Sequence, residues 1–185
     1  PKTERMLVLG LGGGSVGAYL QKRLPGLQID YVDIDPEVPG IARRFLSFRP
    51  GPRTRVAVAD GRRFLQDSKE RWDFIYCDTY IGLSVPFHLT TVEFMGEVAR
   101  HLNPGGVFGL NLAAGLADPF SQSMYRTVSE GFANGYAFRV PEAPNALVLA
   151  DDAPIPLGPA ELGSRARELD RRWSWELKLA EIAAG

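Results

Sequence analysis

The stretch Met6-Leu7-Val8-Leu9-Gly10-Leu11-Gly12-Gly13-Gly14-Ser15-Val16-Gly17 limits what this chain can fold into more than any other. Residues 6–9 form a short apolar run that reads as a buried strand. The run breaks into four glycines within five residues, after which Val16, Leu20 and Leu24 recur at helical spacing with Tyr19 beside them. Strand, glycine turn and helix in that order make the first half of a nucleotide-binding βαβ unit. The turn needs glycine because it is tight, and because a side chain would hold a ligand away from the backbone. The helix that follows presents unpaired N–H groups to a polar or anionic partner.

A tight surface turn would use the same glycines, so the second strand matters. Gln28-Ile29-Asp30-Tyr31-Val32-Asp33-Ile34-Asp35 ends in acids, and Asp33 lies about 20 residues past the glycines, where a doubly wound fold places the carboxylate that binds a ribose diol. Asp35 and Pro36 read instead as the N-cap and first residue of a helix.

Composition excludes several alternatives. The 185 residues suffice for one domain with a real core, and 45% hydrophobic with 23% charged is ordinary for a globular protein. A formal net charge of −1 gives no general attraction to nucleic acid or an anionic membrane. The single cysteine, Cys77, permits no internal disulfide and no cysteine-based zinc cluster, and no metal site is expected. No apolar run is long enough to span a bilayer and no signal peptide opens the chain, so the expected setting is cytoplasmic with no membrane segment in this chain. A start at Pro1 rather than Met reads as a trimmed or excised segment.

Strand and helix patterns alternate along the chain, which predicts an α/β fold: a doubly wound, mostly parallel seven-stranded sheet with helices on both faces. After the second strand, residues 41–46 predict a helix and 55–59 a third strand, ending at Asp60-Gly61. Residues 62–66 suggest a short helix. Trp72-Asp73-Phe74-Ile75-Tyr76-Cys77-Asp78 is a fourth strand, apolar on both sides and therefore central. A loop over 79–89 leads to Thr90-Thr91-Val92-Glu93, read as a capping box opening a helix with Val92, Met95, Ala99 and Leu102 on one face. Asn103-Pro104-Gly105-Gly106 is expected to stop that helix before a fifth strand over 107–112. A helix over 118–132 and strands over 136–140 and 146–150 complete the sheet, the last two as an antiparallel hairpin closed by the turn 141–145. From Pro159 onward, Leu162, Ala166, Leu169, Trp173, Leu177 and Ala180 make the apolar stripe of a C-terminal helix over 158–183. That stripe packs on the domain edge or, alternatively, contacts a second copy in a homodimer. The whole chain reads as one nucleoside-binding domain.

In an open parallel sheet, ligands sit beyond the carboxyl ends of the strands. Gly10 to Gly14, Asp33, Asp60 and Asp78 all fall at such ends. Asp60-Gly61 pairs a carboxylate able to accept from an exocyclic amine with a glycine that lets a flat ring approach, although Asp60 could equally be the N-cap of the next helix. Asp78 ends a buried strand, where an acid is unfavourable without a partner or a task.

These residues match a family. Leu9-Gly10-Leu11-Gly12-Gly13-Gly14, Tyr31-Val32-Asp33-Ile34-Asp35-Pro36, Val58-Ala59-Asp60-Gly61-Arg62 and the fourth strand resemble spermidine synthase motifs in order and spacing. Pro86-Phe87-His88-Leu89-Thr90-Thr91-Val92-Glu93-Phe94 and Leu102-Asn103-Pro104-Gly105-Gly106-Val107 extend the likeness over residues 5–150, toward the branch often fused to transporter-type membrane segments. The first three motifs are shared with many S-adenosylmethionine-dependent methyltransferases; the Asp-Gly-Arg and Pro-Phe-His-Leu stretches tilt the likeness toward polyamine aminopropyltransferases. The resemblance implies a class I methyltransferase-like Rossmann fold. It also implies decarboxylated S-adenosylmethionine, or S-adenosylmethionine itself, as co-substrate, a small-molecule amine as acceptor, and no nucleic-acid partner. Gly10, Gly12, Gly13, Gly14, Asp33, Ile34, Asp60 and Gly61 would bind the nucleoside, Asp33 at the ribose and Asp60 at the adenine amine. Asp78 would orient the attacking amine and take its proton, with Tyr80 and His88 as acceptor contacts.

The departures bear on specificity. Spermidine synthases usually carry an aspartate where this chain has Gly13 and a second where it has Ile81, and a β-rich N-terminal segment that is absent here. Two other readings therefore stand beside aminopropyl transfer. One is methyl transfer from intact S-adenosylmethionine, which Gly13 favours because an acid there would repel the methionine carboxylate. The other is a non-catalytic nucleoside-binding module.

Overall fold

The computed structural model describes residues 3–82, 84–140, 143–172 and 179–182. Seven strands form one sheet: β1 (Arg5–Leu9), β2 (Gln28–Asp33), β3 (Thr54–Val58), β4 (Trp72–Cys77), β5 (Leu102–Leu112), β6 (Asn134–Arg139) and β7 (Ala146–Asp151). Their spatial order is β3-β2-β1-β4-β5-β7-β6. The pairs from β3 across to β5 are parallel, and β7 runs antiparallel to both its neighbours, β5 and β6. The expected α/β sheet is thus a mixed one. The last strand in sequence inserts beside β5 and leaves β6 at the edge.

The chain travels outward from β1 to β3 and then crosses back to place β4 on the other side of β1. That reversal opens a crevice at the carboxyl ends of β1 and β4. Strand β1 alternates its side chains between two cores. Leu7 and Leu9 join one with Trp72, Leu65 of α3 (Gly61–Asp67), Phe94, Met95 and Val98 of α4 (Val92–Arg100) and Met124 and Val128 of α5 (Pro119–Gly131). Met6 and Val8 join the other with Ile29, Tyr31, Phe48 and Ala42 of α2 (Val38–Phe45), and Leu20 of α1 (Ser15–Arg23) packs against it. Apolar residues on both faces of β1 and β4 are what a central parallel strand requires.

Several local expectations need correction. Asp35 is not an N-cap: α2 starts at Val38, and the Asp35 carboxylate instead accepts from Glu37 N at 2.8 Å in the turn before it. Pro39 sits within the first turn of α2, where a missing N–H leaves no gap in the ladder. The α4 cap is Thr91, accepting from Phe94 N, while the Thr90 hydroxyl turns back to Phe87 O. With Phe94 at the third helical position, the reciprocal half of a capping box is missing. Residues 103–106 do not end a helix before a separate strand. β5 takes them in, with a register shift opposite the segment between Trp72 and Phe74. In the C-terminal segment the described residues form α6 (Pro159–Arg172) and α7 (Leu179–Ile182), the Asp170 carboxylate accepting from Leu179 N and Ala180 N at 2.9 Å, and residues 173–178 and 183 of the expected helix lie outside the described residues. Of its expected stripe, Ala166 is buried, Leu162 and Leu169 are half-buried, and Trp173 and Leu177 lie outside the described residues. Among the described residues no helix is long and apolar enough to cross a membrane.

At the amino ends of the strands a charged cluster ties β1, β2, β3 and β4 together. Buried Asp30 accepts from Trp72 Nε1 at 2.8 Å, from Arg55 Nε at 2.6 Å and Nη2 at 2.9 Å, and from Arg5 Nη2 at 3.3 Å. Glu70 closes the cluster by pairing with Arg55 and Arg5. The hydrogen bond from Arg55, and then that from Arg5, holds the Glu70 carboxyl down at about 2 from its ordinary 4.5. A depressed folded-state pKa contributes stability that is present above the unfolded value and lost as pH falls through the folded one. Stability should therefore decline between pH 4.5 and about 2 in the native chain and decline less across that window in Glu70→Gln. Urea midpoints measured at both ends of the window check this, and equal acid sensitivity of the two proteins would refute it.

Candidate functional site

Register brings the site together. Leu9 pairs with Val32 of β2 and with Cys77 of β4, so Gly10, Asp33 and Asp78 stand at one level at the ends of three adjacent strands. The ladder continues past the strands: Gly10 N donates to Val32 O at 2.8 Å and Asp78 N to Leu9 O at 2.9 Å. Gly10 has φ +91°, and a Cβ there would lie 2.2 Å from the Asp78 carbonyl oxygen. Only a residue without a side chain lets the two central strands end this close. Gly12 also has a positive φ, +47°, but a Cβ on it would meet nothing within 4 Å. One glycine is required by its neighbours; the other keeps space open.

That space is a cleft of about 460 Å³, lined among others by Gly10, Gly12, Asp33, Ile34, Asp60, Gly61, Asp78, Tyr80 and His88. The volume lies in the range of small-molecule sites. Gly13 and Gly14 line an adjoining pocket of about 260 Å³ that shares Gly10, Gly12 and Asp78 with the cleft. Every residue singled out from the sequence thus falls on one of two contiguous cavities. Asp78 belongs to both.

The carboxylates differ in how much of their hydrogen-bonding capacity is free. Asp33 accepts from Leu11 N at 2.8 Å and from Asp35 N at 3.0 Å, so it anchors the glycine turn as well as facing the cleft. Asp60 is the N-cap of α3, accepting from Arg63 N at 2.8 Å, and its other oxygen meets His88 Nε2 at 2.7 Å. A carboxylate has about four acceptor positions, so both acids keep room for a ligand donor. The loop carrying His88 is held a second time by Arg62, whose guanidinium donates to His88 O at 2.9 Å. His88 belongs with Asp60 rather than packing as an isolated loop residue.

Asp78 is served by a residue the sequence reading passed over. Asn111, near the carboxyl end of β5, donates from Nδ2 to Asp78 Oδ1 at 2.8 Å, and its own Oδ1 accepts from Asn145 at 3.1 Å. Its backbone oxygen accepts from the Tyr80 hydroxyl at 2.7 Å, and that hydroxyl accepts from Ala113 N at 2.6 Å. The signal was a polar residue near the end of the apolar run 107–112. Among the described residues Asp78 Oδ2 has no protein partner. Burial, aided by the Asp78 charge, raises the pKa of Tyr80 and of Tyr76, and burial pushes the Cys77 thiol up to about 11. The hydroxyls and thiol around Asp78 stay neutral, so none of them adds a charge at this end of the cleft. No group of three or more His, Cys, Asp or Glu among the described residues is placed to hold a metal ion.

A glycine turn and strand-end acids at the switch point of a parallel sheet define a nucleoside-binding domain of the methyltransferase type. Residues 7–108 match the family model described as a methyltransferase domain. The chain is 36% identical over 155 residues to the polyamine aminopropyltransferase of Vibrio vulnificus, covering 81% of this chain and 51% of that one. It is 32% identical over 180 residues to the polyamine aminopropyltransferase of Chromobacterium violaceum, covering 94% of this chain and 67% of the relative. Among solved structures it superimposes on human Methyltransferase-like protein 13 in complex with SAH with a TM-score of 0.79 at 28% identity, over 91% of this chain and 81% of that one. The chain belongs to the polyamine aminopropyltransferase family within the methyltransferase-fold proteins. It spans about half the length of the Vibrio vulnificus relative.

The two glycines make separable predictions. Gly10→Ala should destabilise the fold by at least about 2 kcal/mol, because the new methyl meets backbone that cannot move aside. Gly12→Asn should stay within about 1 kcal/mol of the parent, since asparagine tolerates left-handed backbone and its side chain enters open space. Urea denaturation of both variants checks this, and comparable losses would refute it.

Proposed function

We propose that the cleft binds an adenosyl sulfonium and that the protein transfers an aminopropyl group from decarboxylated S-adenosylmethionine to an amine. The observation that carries this reading is the convergence of the glycine turn, Asp33, Asp60 and Asp78 on one cleft in which Asp78, oriented through one oxygen by Asn111, keeps its other oxygen without a protein partner among the described residues. The open space over Gly12 fits a bound nucleoside, as does the cleft's volume. Asp33 would accept from the ribose hydroxyls while holding the turn through Leu11 N. Asp60 would accept from the adenine amine, Gly61 would leave the ring room to approach, and Ile34, largely exposed at the cleft, would cover one face of it. The sulfonium supplies an already activated carbon, so the protein's task is to place a neutral amine in line with it. Asp78, oriented by Asn111, would hold the neutral amine in place and accept the one proton released as the C–N bond forms and the C–S bond breaks.

Methyl transfer from intact S-adenosylmethionine is the second reading. The absence of an acid at Gly13 favours it, and the structural neighbour in complex with SAH shares this fold. Calorimetry with S-adenosylmethionine and its decarboxylated form separates the two, the proposal requiring tighter binding of the decarboxylated compound. Gly12→Asn should weaken that binding by at least about tenfold by filling the ligand's space, with stability kept.

Asp78→Asn keeps the shape and the Asn111 contact region but removes the charge. It should lower the transfer rate by about 10²–10⁴-fold while leaving nucleoside binding nearly unchanged. An undiminished rate in single-turnover measurements would remove Asp78 from the mechanism.

Asp60 faces a donor only if the base carries an exocyclic amine. The inosine analogue of the product nucleoside should therefore bind at least about tenfold more weakly than the adenosine form, for it loses a hydrogen bond to a charged group, worth about 1.5–3 kcal/mol. Equal binding of the two bases would leave Asp60 as a helix cap alone.

A further inference from the structure

Resting on the transferase reading above, we infer that Asn145, in the turn between β6 and β7, is a positioning residue for the proton transfer. It dictates which way the Asn111 amide faces and thereby keeps Asp78 a proton acceptor. The sheet order puts it within reach. β7 runs antiparallel to β5, so the start of β7 lies at the carboxyl end of β5, where Ala146 pairs with Leu112. Asn145 immediately precedes that pair, and its backbone oxygen closes the turn by accepting from Val140 N at 3.2 Å. Its Nδ2 donates to Asn111 Oδ1 at 3.1 Å, while Asn111 Nδ2 donates to Asp78 Oδ1 at 2.8 Å.

A single orientation of these side chains uses every bond. An ionised carboxylate can only accept, so Asn111 must turn its NH2 group to Asp78. That leaves Asn111 Oδ1 facing the turn, where it needs a donor, and Asn145 supplies it. With the amide reversed, Asn111 Oδ1 would face a carboxylate oxygen, lone pair against lone pair, and Asp78 would relieve the repulsion by taking up a proton. A protonated Asp78 has no place for the proton that the nitrogen sheds as its bond to carbon forms and the C–S bond breaks.

The backbone of the same segment is fixed separately by the Tyr80 hydroxyl, which donates to Asn111 O and accepts from Ala113 N. Tyr80 therefore sets where Asn111 stands, and Asn145 sets how its amide is turned. Among the described residues, Asn145 lines neither the cleft nor the adjoining pocket, so its influence on the reaction passes through Asn111.

The ranking of two substitutions tests this. Asn145→Asp keeps the size and shape of the side chain but replaces the donor by an acceptor, which competes with Asp78 for the NH2 group of Asn111. Asn145→Ala removes the side chain, leaving Asn111 Oδ1 to water and its NH2 group still on Asp78. With decarboxylated S-adenosylmethionine as donor and putrescine as amine, kcat in Asn145→Asp should fall by at least about tenfold, with KM for either substrate within about twofold of the parent. Asn145→Ala should lose less than about threefold in kcat. A side chain that merely packs gives the opposite ranking, since truncation disturbs packing more than an isosteric exchange does. In the Asp78→Asn background, Asn145→Asp should cost less than about twofold more, because both changes act on the same proton.

The orientation is read without turnover from the pH dependence of the Asn111 side-chain NH2 resonance, identified by its loss in Asn111→Asp. Its acid transition should move up by about one pH unit in Asn145→Asp and stay in place in Asn145→Ala. An unmoved transition in Asn145→Asp, or a kcat loss in Asn145→Ala as large as in Asn145→Asp, would overturn the inference. A moved transition in a protein that binds the donor but transfers nothing would uphold the orienting role and defeat only the transferase reading.

Discussion

The ends of β1 and β4 can lie side by side because Gly10 has no side chain at the one point where the Asp78 carbonyl passes over it. Much of the site is downstream of that approach. With a Cβ in the way, the β4 end would have to move, and with it the carboxylate that Asn111 orients. The glycine turn would also lose its seat against Asp33, whose carboxylate caps Leu11 N. The crevice is therefore not a hollow left between finished elements. It exists where two parallel strands stop at the same level and the chain leaves each in a different direction.

Charge is divided between the two edges of the sheet. At the amino ends, Asp30 and Glu70 pair with Arg5 and Arg55, and Asp30 also accepts from the Trp72 indole, which ties the strands together. Asp73 adds to this end by accepting from Glu4 N and Arg5 N and from Asn103. At the carboxyl ends the acids accept mainly from backbone N–H groups and face a cavity instead of a guanidinium. A carboxylate neutralised by arginine holds a structure together but has little left for a ligand. One that accepts from only a few N–H groups keeps acceptor positions for a ligand.

Much of this was legible in the sequence, for physical reasons. Glycines that must turn tightly, acids that end apolar runs and a 3.6-residue apolar period each report a local requirement. Gly10, Asp33, Asp60 and Asp78 could be placed on one rim from strand ends alone. What escaped depends on pairing partners remote in sequence. Asn111 matters because β5 lies beside β4, and nothing near residue 111 says so. The reading of Asp35-Pro36 as a helix start failed because an aspartate caps a turn as readily as a helix. Residues 103–106 lie inside β5 as the unpaired residues of a register shift, because Leu102 pairs with Trp72 and Val107 with Phe74 on either side of them.

Cys77 gives the strand beneath the site a reporter of its own. It is the only cysteine in the chain, fully buried, immediately before Asp78 in sequence, and its thiol resists ionisation because of that burial. A thiol reagent can reach it only when β4 is transiently uncovered, so the labelling rate counts openings of the segment that carries the free carboxylate oxygen. Any molecule that settles in the cleft and binds only the closed form must slow that labelling in proportion to its occupancy. The fold thus carries an internal clock for ligand binding that needs no chromophore and no turnover.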